Sequence, residues 1–178
     1  MKKPAHVIEI FLQPGDFYFG DKDIRIRTIL GSCVSITVWH PTRLIGGMCH
    51  YLLPFRGNRQ MHLPDGRYAE DAMQLFLREI HLNKSLPSEY QLKIFGAGNM
   101  FSQQSKTVAC KPLGTREDIQ ACKNISCKNI AIARYLAALH GFKIEAENLG
   151  GDGHRQVIFD IRSGHAWVRH SKIAGVNS

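Results

Sequence analysis

The sequence predicts one α+β domain in which mixed, largely antiparallel β-sheet layers carry helices on the outside. Several short runs alternate apolar and polar residues with the two-residue period of a half-buried strand, and two longer segments have the helical period. A chain of 178 residues can bury one proper core, and it contains no internal repeat or low-complexity linker. We therefore expect residues 1–178 to form one unit, with its core at about residues 7–169.

The N-terminal part of the chain predicts two strands, over residues 7–11 and 24–30. The segment between them contains Pro14 and Gly15 and is interpreted as a loop. Thr28 lies on the apolar face of the second strand. Gly31 and Ser32 then allow the backbone to turn sharply.

A hairpin is predicted next, with one strand from Cys33 to Trp39 and a second apolar run over residues 44–53. A turn centred on Pro41 and Thr42 makes the numbers of facing residues sum to 83, which places Cys33 opposite His50. Directly opposed residues of an antiparallel pair project to the same face, about 4.5–5.5 Å apart. The numbering alone therefore predicts a cysteine and a histidine within reach of each other.

The rest of the chain alternates helices, strands and loops. Helices are expected over residues 68–81 and 125–140, with Ile125, Ile132, Leu136 and Leu139 as the buried stripe of the second. Strands are expected over residues 90–95, 142–147, 155–161 and 166–169. Residues 102–123 are interpreted as a long loop and residues 173–178 as a frayed tail.

Composition limits the classes of function. The net charge of +8 and pI near 9.4 favour acidic partners, but no recognisable nucleic-acid motif or aromatic interleaving is present. Five irregularly spaced cysteines predict reduced thiols in a cytoplasmic protein. No run approaches the ~20 apolar residues of a membrane span, and we expect no secretory signal.

Cys33 is the candidate nucleophile and His50 the candidate general base and acid. A catalytic cysteine needs a base, a group that orients the base, and donors for an oxyanion. The backbone N–H groups of Ser32 and Cys33 are the candidate oxyanion donors. Thr28 is the candidate orienting group or substrate contact, with Ser32 as the alternative, and the residues alone leave that choice open.

The remaining chemical signals are weaker. Cys49 should face away from His50 and belong to the core. Cys110, Cys122 and Cys127 lack a C-x-x-C pair, so we expect no metal site. The glycine-rich segment at residues 96–101 lacks the Gly-Lys-Ser/Thr of a phosphate loop, so nucleotide binding is disfavoured.

The chain contains, in this order, the motifs Leu30-Gly-Ser-Cys-Val34, Gly46-Gly-Met-x-His50, Leu53-Pro54, Phe95-Gly-Ala-x-x-Met-Phe101, Ile125-x-x-Lys-Asn129 and Gly150-Gly151 followed by Arg155. Taken together, over roughly residues 7–169, they closely resemble the bacterial chemoreceptor glutamine deamidases, the CheD family. The resemblance implies a fold similar to toxin-type cysteine deamidases. It also implies hydrolysis of glutamine side-chain amides in the cytoplasmic helices of chemoreceptors, without a cofactor or metal.

The family's nucleophile falls on Cys33 and its histidine on His50. Its threonine lies six residues before the cysteine in some members, which is Arg27 here, so Thr28 is displaced by one position. Lys128 stands where the family has arginine, and lysine does not copy a bidentate arginine contact. Some relatives bind a CheC-type phosphatase, and a non-catalytic adaptor for receptors or such a phosphatase is the alternative. A cysteine peptidase or a transglutaminase-like enzyme would share the Cys–His pair.

Overall fold

The computed structural model describes residues 6–57, 63–100 and 115–172. Two helices of 14 and 15 residues and one short helix lie in these ranges, as do nine strands. The helices are α1 (Ala69–Leu82), α2 (Arg116–Gln120) and α3 (Ile125–Leu139), and a 3₁₀ turn spans Pro87–Glu89. The strands are β1 (Ile8–Phe11), β2 (Phe17–Asp21), β3 (Ile24–Leu30), β4 (Val34–His40), β5 (Ile45–Tyr51), β6 (Gln91–Gly96), β7 (Lys143–Leu149), β8 (His154–Asp160) and β9 (Ala166–Ser171).

The strands form two mixed sheets. The four-stranded sheet has the order β1-β3-β8-β9, and the five-stranded sheet has the order β2-β5-β4-β6-β7. The β1–β3 and β6–β7 pairs are parallel, and the other pairs are antiparallel. The predicted α+β class with mixed sheets and flanking helices is confirmed.

Two apolar layers hold the fold together, one on each face of the five-stranded sheet. On one face α1 and α3 pack against Val34, Ile36 and Val38 of β4. On the other face the two sheets pack together, and Met48 of β5 meets β3 and β8. Alternation along β4 and β5 thus assigns each side chain to one layer, as the strand period predicts.

The two long helices use local signals to begin and end. Glu70 and Asp71 occupy the first turn of α1, where carboxylates complement the helix dipole. The Asn124 side chain caps α3 by accepting a hydrogen bond from the Cys127 N–H. Gly141 follows α3 with a φ of 75°, the left-handed conformation that ends many helices.

Three sequence expectations were wrong in part. The loop predicted between the first two strands contains β2, which pairs with β5. The loop predicted over residues 102–123 contains α2 near its end, while residues 102–114 lie outside the described ranges. Ile125 and Leu139 are exposed, and the buried stripe of α3 instead includes Asn129. The tail predicted at residues 173–178 is also outside the described ranges.

The predicted register of the central hairpin was wrong by two residues. β4 and β5 pair His40 with Ile45 and Ser35 with His50, so facing numbers sum to 85. The connection is a four-residue turn in which Leu44 adopts a φ of 53° and its N–H bonds to the His40 carbonyl. Because side chains alternate with a period of two, this shift moves Cys33 diagonally from His50 without moving it to the opposite face.

Candidate active site

Thr28 and His50 meet in the layer between the two sheets. Thr28 lies on the inner face of β3, and His50 lies on the face of β5 that carries Met48. The Thr28 Oγ1 and His50 Nδ1 atoms are 2.8 Å apart, and the two residues are 0% and 2% exposed. The structure therefore places Thr28, and not the alternative Ser32, in direct contact with the His50 ring.

The hydrogen bonds at Thr28 decide where His50 carries its proton. The Thr28 hydroxyl donates to the Leu12 carbonyl at 2.8 Å, and a hydroxyl has only one proton to give. The short contact to His50 is thus made by Nδ1–H donating to Thr28 Oγ1. Neutral His50 then has a lone pair on Nε2, an atom that is buried and has no hydrogen-bond partner in the described part of the chain.

Burial keeps His50 neutral. It lowers the pKa of His50 to about 4, because the imidazolium loses its solvation between the sheets, and the nearby Asp16 carboxylate offsets only part of that effect. At neutral pH the ring is a free base with Nε2 available as a proton acceptor. A histidine in this state can deprotonate a neighbouring thiol during a reaction.

Cys33 lies immediately before β4, half-buried at the edge of the layer between the sheets. In the observed register it is diagonal to His50, and diagonal neighbours are about 7–8 Å apart at Cα, within reach of side chains. Burial raises the pKa of the Cys33 thiol from its ordinary value, and the interaction of the sulfur with its own backbone N–H opposes that rise only in part. The thiol is therefore protonated at neutral pH and needs a base.

The segment from Gly31 to Cys33, called here the nucleophile loop, is held by the glycine-rich segment that follows β6. The N–H of Ala97 donates to the Cys33 carbonyl and that of Gly98 to the Gly31 carbonyl, each at 2.8 Å. Gly96 has a φ of 115°, and a Cβ on it would lie 2.3 Å from the Cys33 carbonyl oxygen. The glycine therefore allows the two backbones to approach, which no side chain at that position would permit.

The N–H groups of Ser32 and Cys33 are the candidate oxyanion donors. Among the described residues, no group other than the Cys33 thiol accepts a hydrogen bond from either of them. They belong to the candidate nucleophile and to the residue before it. Donors of this kind could stabilise an oxyanion formed when the sulfur attacks a carbonyl carbon.

Asn129 is a polar residue at the site to which the sequence analysis assigned no role, although it ends the Ile125-x-x-Lys-Asn129 motif. It is fully buried on α3, and its Nδ2 lies 2.8 Å from the Leu52 carbonyl and 3.5 Å from that of Ser32. The signal was available, since Asn129 precedes Ile132 and Leu136 at the helical spacings of three and seven residues. A polar side chain on a buried stripe needs partners, and here those partners belong to the site.

The other cysteines lie apart from this arrangement. Cys49 is fully buried on the face of β5 that packs against the helices, which confirms its prediction as a core residue. Burial raises its pKa to about 12. The Cys122 and Cys127 sulfurs are 2.8 Å apart, at the start of α3. Residues 6–57, 63–100 and 115–172 contain no group of three or more possible metal ligands, and Cys110 is outside these ranges.

None of the helices in the described ranges is long and apolar enough to cross a membrane.

The arrangement belongs to the class of cysteine–histidine sites in which a buried neutral imidazole can accept the proton of a thiol. Comparison with known proteins gives the family. The family model "CheD chemotactic sensory transduction" matches residues 52–170. The chain belongs to the CheD family.

Curated relatives extend the match to nearly the whole chain. A protein of Pseudomonas savastanoi pv. phaseolicola, named probable chemoreceptor glutamine deamidase CheD, is 44% identical over 99% of this chain and 92% of its own length. A protein of the same name from Pseudomonas syringae pv. syringae is 45% identical over 96% of this chain and 89% of its own. One from Dechloromonas aromatica, probable chemoreceptor glutamine deamidase CheD 3, is 41% identical over 93% and 89%.

Proposed function

We propose that this protein is a chemoreceptor glutamine deamidase. It hydrolyses glutamine side-chain amides in the cytoplasmic helices of chemoreceptors to glutamate and ammonia, and so acts in bacterial chemotaxis. The observation that carries the proposal is the register that sets Cys33 diagonal to His50 on one face of the hairpin, with His50 buried and its Nε2 without a hydrogen-bond partner in the described part of the chain. The names of the relatives supply the substrate class that the geometry alone cannot.

The first step is attack on the amide. Because Cys33 is a thiol and not a thiolate at neutral pH, proton transfer to His50 Nε2 accompanies the attack of sulfur on the glutamine carbonyl carbon. The Nδ1–H of His50 stays bonded to Thr28 throughout. Thr28 therefore positions the ring and stabilises the imidazolium that forms.

The second step releases ammonia. Attack leaves negative charge on the former amide oxygen, and the N–H groups of Ser32 and Cys33 donate to it. The His50 imidazolium then gives its proton to the leaving nitrogen. The C–N bond breaks, and a thioester links the substrate to Cys33.

Hydrolysis of the thioester completes the cycle. His50, again neutral, takes a proton from water as the water oxygen attacks the thioester carbon. The C–S bond breaks, the glutamate leaves, and the thiol recovers its proton. The reaction consumes one water for each amide and needs no metal or cofactor.

The partners follow from this substrate. A receptor's cytoplasmic helices can be reached only from the cytoplasm, which is where we place the protein. Its net charge of +8 favours approach to acidic helices, an attraction that salt weakens. Binding of a CheC-type phosphatase, as in some relatives, is compatible with this role.

The direct test is deamidation of receptor cytoplasmic fragments, followed by mass spectrometry of their peptides. We expect wild-type protein to convert particular glutamines to glutamates. In heavy-oxygen water each new glutamate should carry one labelled oxygen. Cys33→Ala and His50→Ala should abolish the conversion.

Cys122→Ala is the matched control, since Cys122 is also half-buried but its sulfur contacts that of Cys127. It should retain wild-type conversion. Equal conversion by Cys33→Ala would overturn the mechanism. Tight receptor binding by wild type without any conversion would favour the non-catalytic adaptor instead.

A further inference from the structure

Asn129 connects the two segments that carry the reacting side chains. Its Nδ2 donates to the carbonyl of Leu52, two residues after His50, and to that of Ser32, the residue before Cys33. The Tyr51 hydroxyl donates to the Asn129 backbone carbonyl at 2.6 Å, which holds this turn of α3 against β5. One amide group therefore bridges the nucleophile loop and the end of β5, the strand that carries His50.

The orientation of the Asn129 amide is fixed by its surroundings. Two carbonyl oxygens face one end of the amide, so that end must be the NH₂ group, since the opposite orientation would place three oxygens together. Its Oδ1 is then left buried, with no hydrogen-bond partner in the described part of the chain. A buried acceptor without a partner destabilises a fold. The Asn129 amide therefore carries a cost in folding stability at its Oδ1 atom.

The contact at Ser32 determines where an N–H group points. In a planar trans peptide the C=O and N–H point in opposite directions. The Ser32 carbonyl and the Cys33 N–H belong to one peptide unit, so the contact to Asn129 turns the Cys33 N–H away from α3. The Gly31 carbonyl and the Ser32 N–H are related in the same way, and the Gly98 N–H holds that carbonyl.

We propose that Asn129 is a positioning residue for the oxyanion site. By holding the Ser32 carbonyl it directs the Cys33 N–H towards the charge that develops when sulfur attacks a carbonyl carbon. Because the same amide also holds the Leu52 carbonyl, it fixes the position of the nucleophile loop relative to His50. For deamidation this inference rests on the proposed function, but the oxyanion argument applies to any carbonyl substrate that Cys33 attacks.

Two reactions of the same sulfur separate this role from a purely structural one. p-Nitrophenyl acetate is attacked by sulfur at its carbonyl carbon. An oxyanion forms and collapses, p-nitrophenolate leaves, and Cys33 carries an acetyl thioester. Iodoacetamide is attacked at its CH₂ carbon, where iodide leaves directly and no oxyanion forms. Both rates are measured on the full-length protein, with the Cys33→Ala background subtracted.

The variant is Asn129→Leu, which keeps the volume and removes the amide. We expect acylation by p-nitrophenyl acetate to fall by about 10²-fold, the cost of losing an oxyanion donor or of misplacing it by about 1 Å. Alkylation by iodoacetamide does not use that donor. Its fold decrease in Asn129→Leu should therefore be smaller than the fold decrease in acylation, by a factor of at least about ten.

Ile132→Ala is the matched control, because Ile132 is buried on the same helix one turn later and its side chain, which belongs to the apolar core, has no amide to donate to Ser32. It should be destabilised in thermal unfolding, yet keep the wild-type ratio of acylation to alkylation. If Asn129→Leu also keeps that ratio, the inference is wrong, whatever its unfolding temperature.

Deamidation of receptor fragments is measured on the same proteins. If wild type deamidates nothing while Asn129→Leu loses acylation selectively, the proposed function fails and the positioning role stands. If wild type and Asn129→Leu deamidate with the same kcat, the positioning role fails and the proposed function stands.

Discussion

Two buried histidines lie at opposite ends of the same hairpin, and only one of them has a lone pair on Nε2 in its neutral form. His40 ends β4 on the helix side and is 6% exposed, while His50 lies on β5 between the sheets and is 2% exposed. Both have an Nε2 atom without a hydrogen bond to any described residue. Burial and an open nitrogen are therefore not what distinguishes them.

Their partners make the difference. At His40 the Arg43 N–H donates to Nδ1, so Nε2 carries the proton in the neutral ring and lies 3.6 Å from the Glu89 carboxylate. The ring also packs edge-on against Tyr90. At His50 the Nδ1 atom is a donor instead, which leaves Nε2 as an acceptor. The group bonded to one ring nitrogen decides what the other can do.

The largest expected effect is on catalysis when each histidine is replaced by glutamine. His50→Gln removes the base and should lower kcat for deamidation by about 10³-fold, within the range for loss of a general acid–base. His40→Gln, at the other end of the hairpin, should leave kcat unchanged. Initial rates measured by mass spectrometry on a receptor fragment give both values. A comparable loss of kcat in the two variants would show that the two histidines do not differ in their contribution to deamidation.

The next effect concerns acid stability. The folded-state pKa of His50 is lowered to about 4 from an unfolded value of 6.5, so between these pH values the unfolded chain binds the extra proton. The free energy of unfolding should then decrease as pH falls from 6.5 towards 4, by up to about 3 kcal/mol from this group. Urea unfolding at a series of pH values should show that decline in wild type and a shallower one in His50→Gln. Equal slopes would contradict the buried neutral ring.

A smaller effect is expected at Thr28. Thr28→Val removes the acceptor that fixes the His50 tautomer, and we expect kcat to fall between about 10- and 100-fold, as is common when a supporting hydrogen bond is lost. Thr28→Ser should recover most of the activity because it restores the hydroxyl. Thr37→Val is the matched control, since Thr37 is a buried threonine of β4. A normal rate in Thr28→Val would show that the ring needs no orienting group.

The smallest effect is expected at the partner of His40. Glu89 is largely exposed, and its carboxylate lies 3.6 Å from the ring, so Glu89→Gln should change the free energy of unfolding by less than about 1 kcal/mol. Its deamidation rate should match wild type. Denaturant unfolding and the same receptor assay measure both quantities. A loss of kcat in Glu89→Gln would show that the end of the hairpin with His40 contributes to the reaction.

The sequence predicted the faces of the hairpin better than its register. Alternation along β4 and β5 depends only on the period of a strand, and it correctly placed Cys49 opposite to His50. The register depended on the turn, and Leu44 takes a left-handed conformation that leucine rarely adopts. Such a turn has no composition signal, so the two-residue shift could not be predicted from the chain alone.

Other differences did leave signals in the sequence. Thr115 and Asp118 form a capping box that marks the start of α2 inside the predicted loop. The contact between Thr28 and His50, in contrast, joins strands of two different sheets. No local pattern predicts how two sheets pack, so the contact between Thr28 and His50 could be found only in the tertiary structure.

The division of the site between two sheets also sets when it can form during synthesis. Cys33 and His50 leave the ribosome early, but Thr28 lies on β3, whose antiparallel neighbour is β8, with Thr28 facing Val157. The four-stranded sheet stays incomplete until β8 and β9, residues 154–171, have been translated. We therefore expect that, in a growing chain, His50 cannot be oriented by Thr28 towards Cys33 until the last strands have docked. Receptor modification would then begin only after folding is complete.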